Sequence, residues 1–316
     1  MKSNLKLARS TGLCVVVCTY QRPALLLQTL AFLEKQDVAL LPNYEILVID
    51  NSSDQQAATR TAKMFEDHPL IRYLQTGKTG LSHARNLGLA AARFSIIAYV
   101  DDDVRIPTTW AITIFDQFKA LEPNLGLVAG RVTLVWQAAR PTWLHDRLLG
   151  YLGQLELGKL PRIIKRDHYV VGCNMAFDHK ALTKVGGFNE RLGRIGGEEN
   201  LMSNEELDVA RRLRKAGFAA CYQPGALVEH LIDPKRLQKE WFNRRLLAQA
   251  DSDLVAGGLL IQFRRVRAYV RRPILLVLLW TLQFCNRDCA LAFYFSMELA
   301  YDRRLLTDRG DLAPAF

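Results

Sequence analysis

Apolar and polar positions alternate along this chain in two rhythms. LCVVVCTY (13–20) is an unbroken apolar, β-branched run, the pattern of a strand buried on both faces of a parallel sheet. Pro23 follows, then ALLLQTLAFLEKQ with Leu and Phe at helical spacing; proline suits a first helical turn because its missing N–H has no partner there anyway. The unit recurs. YEILVID (44–50) passes through the capping residues Asn51-Ser52-Ser53-Asp54 into a helix over 55–67. IRYLQT (71–76) passes Gly77 and Gly80 into a helix in SHARNLGLAAA, and SIIAYV (95–100) is a fourth strand that ends on Asp101.

This alternation predicts an α/β chain: an open, mostly parallel, twisted sheet flanked by helices. Such sheets bind ligands beyond the carboxyl ends of their strands. Thr19-Tyr20-Gln21-Arg22, Asp50-Asn51-Ser52 and Asp101-Asp102-Asp103 all fall at those ends and converge on one crevice. Strand-end loops are polar in any protein, but that explains polarity and not carboxylates at two ends of three.

After residue 120 the rhythm changes. GLVAGRVTLVW (126–136) and HYVVGCNMAF (168–177) read as longer strands, and 137–167 as an irregular excursion over the site. NEELDVARRLRKA (204–216) is a helix with Asn204 as N-cap, acids in its first turn, bases in its last and Gly217 as its stop.

Composition changes this picture little. The chain has 316 residues, 49% hydrophobic, enough for a large core. Its net charge of +10 is spread without RNA-binding or zinc-finger signatures, so nucleic acid is not an expected partner. Six cysteines (14, 18, 173, 221, 285, 289) form no CxxC pair and read as reduced thiols. MKSNLKLARSTG lacks the apolar core of a signal peptide, which points to a cytoplasmic body.

Three consecutive aspartates repel one another unless something positive neutralises them. A divalent cation, Mg²⁺ or Mn²⁺, is the economical answer, because hard ions hold substrate phosphates while one or two protein acids grip them. The alternative is a solvated acidic loop. CTYQRP, VIDNSS, GLSHARNLG, YVDDDV, VGCNMAF, VGGFNERLG and an acidic pair opening the helix that ends LRKAG, followed by His230, occur in this order across residues 12–250. Together they resemble a family 2 glycosyltransferase of the GT-A type.

The resemblance implies a Rossmann-like nucleotide-binding half, an acceptor half, and a nucleotide-sugar donor, a UDP-sugar foremost. It implies that Asp50 contacts the uracil or ribose, with Thr19 and Arg22 nearby, and that Arg85 borders the nucleotide and pyrophosphate beside Asn86. The DxD element maps onto Asp101 and Asp103, with Asp102 between them counted among the donor-binding residues. Asp103 touches the metal directly, His230 is a further metal or pyrophosphate ligand, and Asn174 stands on the acceptor side.

An attacking hydroxyl must lose a proton, which calls for a carboxylate base. Glu198 and Glu199 compete for that role with Glu205, Glu206 and Asp208; distance to LRKAG favours Glu205-Glu206, where the family carries Glu-Asp. Glu206 therefore replaces the usual Asp, and an added methylene moves the carboxylate by about 1 Å, a displacement large enough to affect rate. These acids could instead merely complement the helix dipole. The resemblance further implies inversion, and the QxxRW element of processive synthases is absent; RLQKEWFNRR stands in its place, which favours transfer of one sugar per acceptor. The acceptor class is a glycan or a lipid-linked glycan in surface polysaccharide or glycolipid assembly.

The expected organisation is a tail (1–11), a catalytic domain (12–250) and a C-terminal basic and apolar helical segment (251–316). In it FRRVRAYVRR (263–272) carries five arginines and no acid, and PILLVLLWTLQF (273–284) is apolar but shorter than the roughly 20 residues that span a bilayer. Extending it through CALAFYFSMELAY would put Arg287 and Asp288 at mid-membrane. Three arrangements stay open for 263–302: an interfacial hairpin at the cytoplasmic membrane face, packing on the catalytic domain, or dimerisation.

Other classes fit less well. A nucleotidyltransferase needs a Gly-rich phosphate loop after the first strand and an NAD enzyme needs GxGxxG; CTYQRP has no glycine. A non-catalytic nucleotide-sugar-binding scaffold is favoured only by Glu206 in place of Asp.

Overall fold

A computed structural model describes residues 9–121, 123–164, 170–196, 200–257, 259–285 and 290–307. The alternating units lead: β1 (Ser10–Thr19), α1 (Pro23–Glu34), β2 (Tyr44–Asp50), α2 (Gln55–Lys63), β3 (Ile71–Gln75), α3 (Leu81–Ala91) and β4 (Phe94–Asp101). Next come β5 (Val104–Arg105), α4 (Trp110–Ala120), β6 (Leu125–Trp136), a 3₁₀ helix (Asp146–Leu152), β7 (Arg162–Ile163), β8 (Asn174–Asp178) and α5 (His179–Lys184). The chain continues with α6 (Glu205–Lys215), β9 (Ala219–Ile232), a 3₁₀ turn (Pro234–Leu237), α7 (Lys239–Ala256), α8 (Leu259–Cys285) and α9 (Ala290–Thr307).

Among the described residues nine strands form one sheet, in the order β3-β2-β1-β4-β8-β6-β9-β5, with β7 also on β9. β3, β2, β1 and β4 are parallel, as the alternating rhythm predicts. Beyond β4 the sheet turns mixed: β8 runs antiparallel to both β4 and β6, while β6 and β9 run parallel. Leu13 to Val17 and Ile46 to Ile49 are fully buried, which is why these strands are apolar throughout.

Local chemistry explains most boundaries. Pro23 opens α1, and the Asp54 carboxylate accepts the amides of Gln56 and Ala57 at the start of α2. Two expectations fail. The strand foreseen over 168–177 is shorter: β8 begins only at Asn174, after a turn through Gly172 and Cys173, and 168–169 lie outside the described residues. Asn204 precedes α6 but does not cap it; its backbone is left-handed (φ 77°), and its amide instead donates to Asp253 (2.7 Å) and accepts from Gln249 (2.7 Å). Long-range partners in α7 outbid the local cap.

The main core lies between the sheet and its helices, and a second apolar cluster joins the excursion after β6 to the C-terminal helices. Leu148, Leu152, Trp241, Phe242, Met297 and Leu305 are buried there. α7 runs unbroken across residue 250, and its Trp241, Phe242 and Leu246 share the second cluster with Met297, Tyr301 and Leu305 of α9. Among the described residues the cysteines 14, 18, 173 and 221 are free and buried.

Asn174 knits the two halves of the sheet. It is wholly buried, its Nδ2 donates to the carbonyls of Arg131 and Ala226 (both 2.8 Å) across an irregularity in the β6–β9 ladder, and its Oδ1 accepts from the Trp110 indole (3.0 Å). Asn174→Ala leaves three buried polar groups without partners and should cost about 3 kcal/mol or more. An unfolding free energy from urea titration that falls by less than about 1 kcal/mol would show the site relaxing or admitting water.

Candidate active site

A crevice of about 510 Å³ opens beyond the carboxyl ends of β1 and β4. Thr19 and Arg22 border it from the loop after β1, Asn51 from the end of β2, and Leu81 and Arg85 from α3. Asp101 and Asp103 form its floor, Glu205 and Glu206 enter from the start of α6, and His230 from the end of β9.

Three adjacent aspartates take three directions. Asp101 is partly open to the crevice. Asp102 turns beneath it: fully buried, it accepts the Thr19 hydroxyl (2.6 Å) and pairs with Arg22, and burial pushes its carboxyl up to about 7. It therefore holds Thr19 and Arg22 in place and is not among the residues lining the crevice, where the resemblance implied a donor-binding role. Asp103 meets Arg22 (2.8 Å), His230 (3.3 Å) and Arg236 (3.4 Å). Burial alone would raise its carboxyl, but His230 with these two arginines holds it well below the usual carboxylate range.

The donor set fits a hard divalent cation. Ligand atoms of Asp101, Asp103 and His230 lie within 4.8 Å of one another, and the buried Asp103 Oδ1 has no hydrogen-bond donor. The His230 Nδ1–H donates to the Leu152 carbonyl (2.8 Å), and Nε2 lies 3.3 Å from both Asp103 Oδ1 and Arg236 Nη1: protonated it pairs with Asp103, and neutral it offers a ligand lone pair. Gly153 makes this approach possible: it adopts φ 93°, and a Cβ there would crowd the His230 ring at 3.2 Å.

Arg85 joins floor to wall. Its guanidinium is buried, donates to Glu205 (2.8 Å) and Glu206 (3.4 Å), lies 3.9 Å from Asp101 and stacks on Phe188. Burial and the neighbouring Glu205 push the Glu206 carboxyl up to about 8, since one guanidinium cannot neutralise both acids equally. Glu206 is thus a carboxylate poised to exchange a proton near neutral pH. Gly172 admits this arrangement, because a Cβ there would sit 2.3 Å from both Arg85 Nη2 and Glu206 Oε1.

Other sequence-marked residues lie elsewhere. Asp50 is buried behind Asn51, its carboxylate accepting the Ser52 amide (2.8 Å) and the Tyr73 hydroxyl, so Asn51 is the β2 residue that borders the crevice. Asn174 lies in the core of the sheet with its amide saturated, not on the acceptor side of the crevice. Asp208 pairs with Arg212 one turn along α6 (2.7 Å) and is not among the residues lining the crevice. Asn86 braces the backbone at Phe188 (2.9 and 2.8 Å). Glu198 and Glu199 lie outside the described residues.

The crevice also contains residues that no sequence motif marked. Arg236 reaches Asp103 from the 3₁₀ turn after β9, and Arg194 and Arg245 bring two more guanidiniums to the crevice, Arg194 within electrostatic reach of Asp101 and Asp103. Arg245 is buried, donates to Ser203 and Gln249 (3.1 Å each) and stacks on Tyr151. Only the position of Arg236 shortly after His230 offered any clue.

Comparisons with known proteins agree with this geometry. The glycosyl transferase family 2 profile matches residues 14–186. The chain is 24% identical over 246 residues to the glucosyl-dolichyl phosphate glucuronosyltransferase of Haloferax volcanii, covering 76% of each chain. It is 25% identical to the succinoglycan biosynthesis protein ExoM of Rhizobium meliloti, covering 72% of this chain and 70% of that one. Among solved structures, a mannosyltransferase from Pyrobaculum calidifontis, in complex with GDP-Man and Mn²⁺, superposes with a TM-score of 0.58 over 96% of this chain and 90% of its own, at 19% identity. A profile match over more than half of the length, on a GT-A fold, shows that this chain belongs to glycosyl transferase family 2.

Proposed function

We propose that this glycosyltransferase moves one sugar, with inversion, from a nucleoside-diphosphate sugar, a UDP-sugar foremost, to a hydroxyl of a glycan or lipid-linked acceptor on the cytoplasmic side of a membrane. The observation that carries the reading is that one crevice presents a hard-cation donor set and a carboxylate with a raised pKa, joined through Arg85. A divalent cation held by Asp101, Asp103 and His230 would supply charge stabilisation to the departing diphosphate. Similar transferases from Pyrobaculum calidifontis and of the GalNAc-T7 type were solved with Mn²⁺, which supports a divalent metal without choosing between Mg²⁺ and Mn²⁺.

The chain's own residues do the remaining work. Arg22 and Arg236, already beside Asp103, face the diphosphate, while Thr19 and Asn51 flank the nucleoside end. Arg85 neutralises Glu205 and so fixes the position of Glu206, which accepts the acceptor hydroxyl proton as the hydroxyl attacks the anomeric carbon. Arg194 and Arg245 line the same crevice and favour a substrate group bearing negative charge. Among the described residues Asp101 and Asp103 belong to the cation set and Glu205 is held by Arg85, which leaves no carboxylate set up as a nucleophile and supports a single displacement.

The test is a thermal-shift screen of the chain against UDP, GDP and dTDP and their sugars, with Mn²⁺, with Mg²⁺ and with chelator. One nucleotide should raise the melting temperature only when metal is present, and Asp103→Asn should remove that shift. No shift with any combination would sink the donor-site reading. Glu206→Gln should retain the shift while lowering kcat by about 10² to 10⁴. Burial and Glu205 push the Glu206 carboxyl up to about 8, so the fraction ionised and able to act as base falls as pH drops below that value. Wild-type kcat/KM should accordingly climb through pH 8, and a profile flat between pH 6 and 9 would exclude Glu206. Gly172→Ala forces the Arg85–Glu206 pair apart; a fall of about 10²-fold in kcat with nucleotide binding kept is expected, and unchanged kinetics would show the loop yielding instead.

A further inference from the structure

α8 turns an apolar face to solvent. Phe263, Val266, Val270, Ile274, Val277 and Trp280 follow one another at intervals of three and four residues, each 58–71% exposed. Tyr269 and Leu276, 76% and 52% exposed, widen this stripe, and a contiguous run of eight exposed large apolar side chains marks an interaction surface. The opposite face is satisfied: Ile261, Ala268 and Leu275 are buried, and Met297, Tyr301 and Leu305 of α9 close the same cluster. Packing on the catalytic body therefore consumes only one side of the helix.

Charge selects the occupant. α8 holds no acidic residue. Arg264 and Arg271 turn inward, to Asp253 of α7 and to Glu298 and Asp302 of α9. At 100° per residue, Arg267 and Arg272 fall at the two margins of the apolar stripe, the first exposed and the second half-exposed. A second copy docked by the same face would bring these arginines against their own kind. An anionic bilayer surface accepts both features, with the apolar stripe in the acyl boundary and the arginines at the headgroups. No described helix is long and apolar enough to cross a membrane. We propose that α8 docks this chain, lying in the plane of the interface, on an anionic lipid surface.

Docking by α8 would also position the crevice. Arg264 and Tyr301 meet Asp253, which accepts from Asn204, the residue before Glu205. The membrane-facing helix and the wall carrying Glu206 are thus one hydrogen-bonded body. The inference does not depend on the donor chemistry proposed above, and its test does not use it.

Vesicle flotation of the full chain decides the matter, with phosphatidylcholine alone and with phosphatidylcholine containing phosphatidylglycerol. Binding should be at least about tenfold tighter to the anionic vesicles and weaken with salt, and Arg267→Gln should reduce it by about fivefold. The double variant Val270→Glu, Val277→Glu should abolish flotation while leaving the melting temperature unchanged, since both side chains are exposed. Wild-type protein that ignores both vesicles overturns the proposal, as does a double variant that floats like wild type. A dimer in sedimentation velocity that the double variant dissociates, without lipid binding, would assign the face to a second copy. Should the variant not fold, the lipid-charge and salt dependence of the wild type still gives the answer.

Discussion

A guanidinium buried among three carboxylates organises this site. Arg85 emerges from α3 into a region from which water is largely excluded, where the attraction between opposite charges is several times its value in solution. It cannot stay there without Asp101, Glu205 and Glu206, and they cannot crowd together without it. Loss of either side would strand an uncompensated buried charge, which typically costs 3–5 kcal/mol or about that. The end of β4, the start of α3 and the start of α6 are therefore held at fixed separations by electrostatics, and Gly172 supplies the backbone clearance that this needs.

The same economy governs the aspartate triplet. Like charges in sequence are tolerable only if each finds its own partner, and the chain achieves this by sending Asp101 into the crevice, Asp102 beneath it and Asp103 toward His230 and Arg236. Their surroundings then drive two of the carboxyls apart, Asp102 upward and Asp103 downward. One aspartate anchors the scaffold and its neighbours offer ligand oxygens. The two roles follow from environment, because the residues are chemically identical.

A polar chain of contacts extends this organisation into the C-terminal helices. Ser203 and Asn204 bond to Gln249, Ser252 and Asp253 of α7, and Asp253 in turn holds Arg264 and Tyr301. The entry of α6, which carries Glu205 and Glu206, is thus positioned from outside the nucleotide-binding half. Such a network explains why Asn204 abandons the helix cap that its position suggests.

Much of this was legible in the amino-acid sequence. The apolar β-branched runs at 13–20, 44–50 and 95–100 declare buried parallel strands because nothing else tolerates so many such residues in succession. Parallel strands with helical crossovers put Thr19, Arg22, Asn51 and the aspartates at one edge, and a resemblance over ordered motifs added Arg85, Glu206 and His230. Tertiary structure alone decided which of the marked residues face the crevice. Asn174 and Asp102 belong to motifs, yet they point into the sheet or under the floor, because motif membership constrains position along the chain and not side-chain direction. Arg194 follows VGGFNERLG and Arg245 ends RLQKEWFNRR, but neither belongs to a recognised motif, and only tertiary contacts bring them to the crevice. The C-terminal basic and apolar run announced an amphipathic helix, but only packing against α7 and α9 determined which of its arginines were neutralised and which face was left for solvent. Local pattern fixes the elements since it depends on near neighbours; the site depends on distant charges that must be buried together.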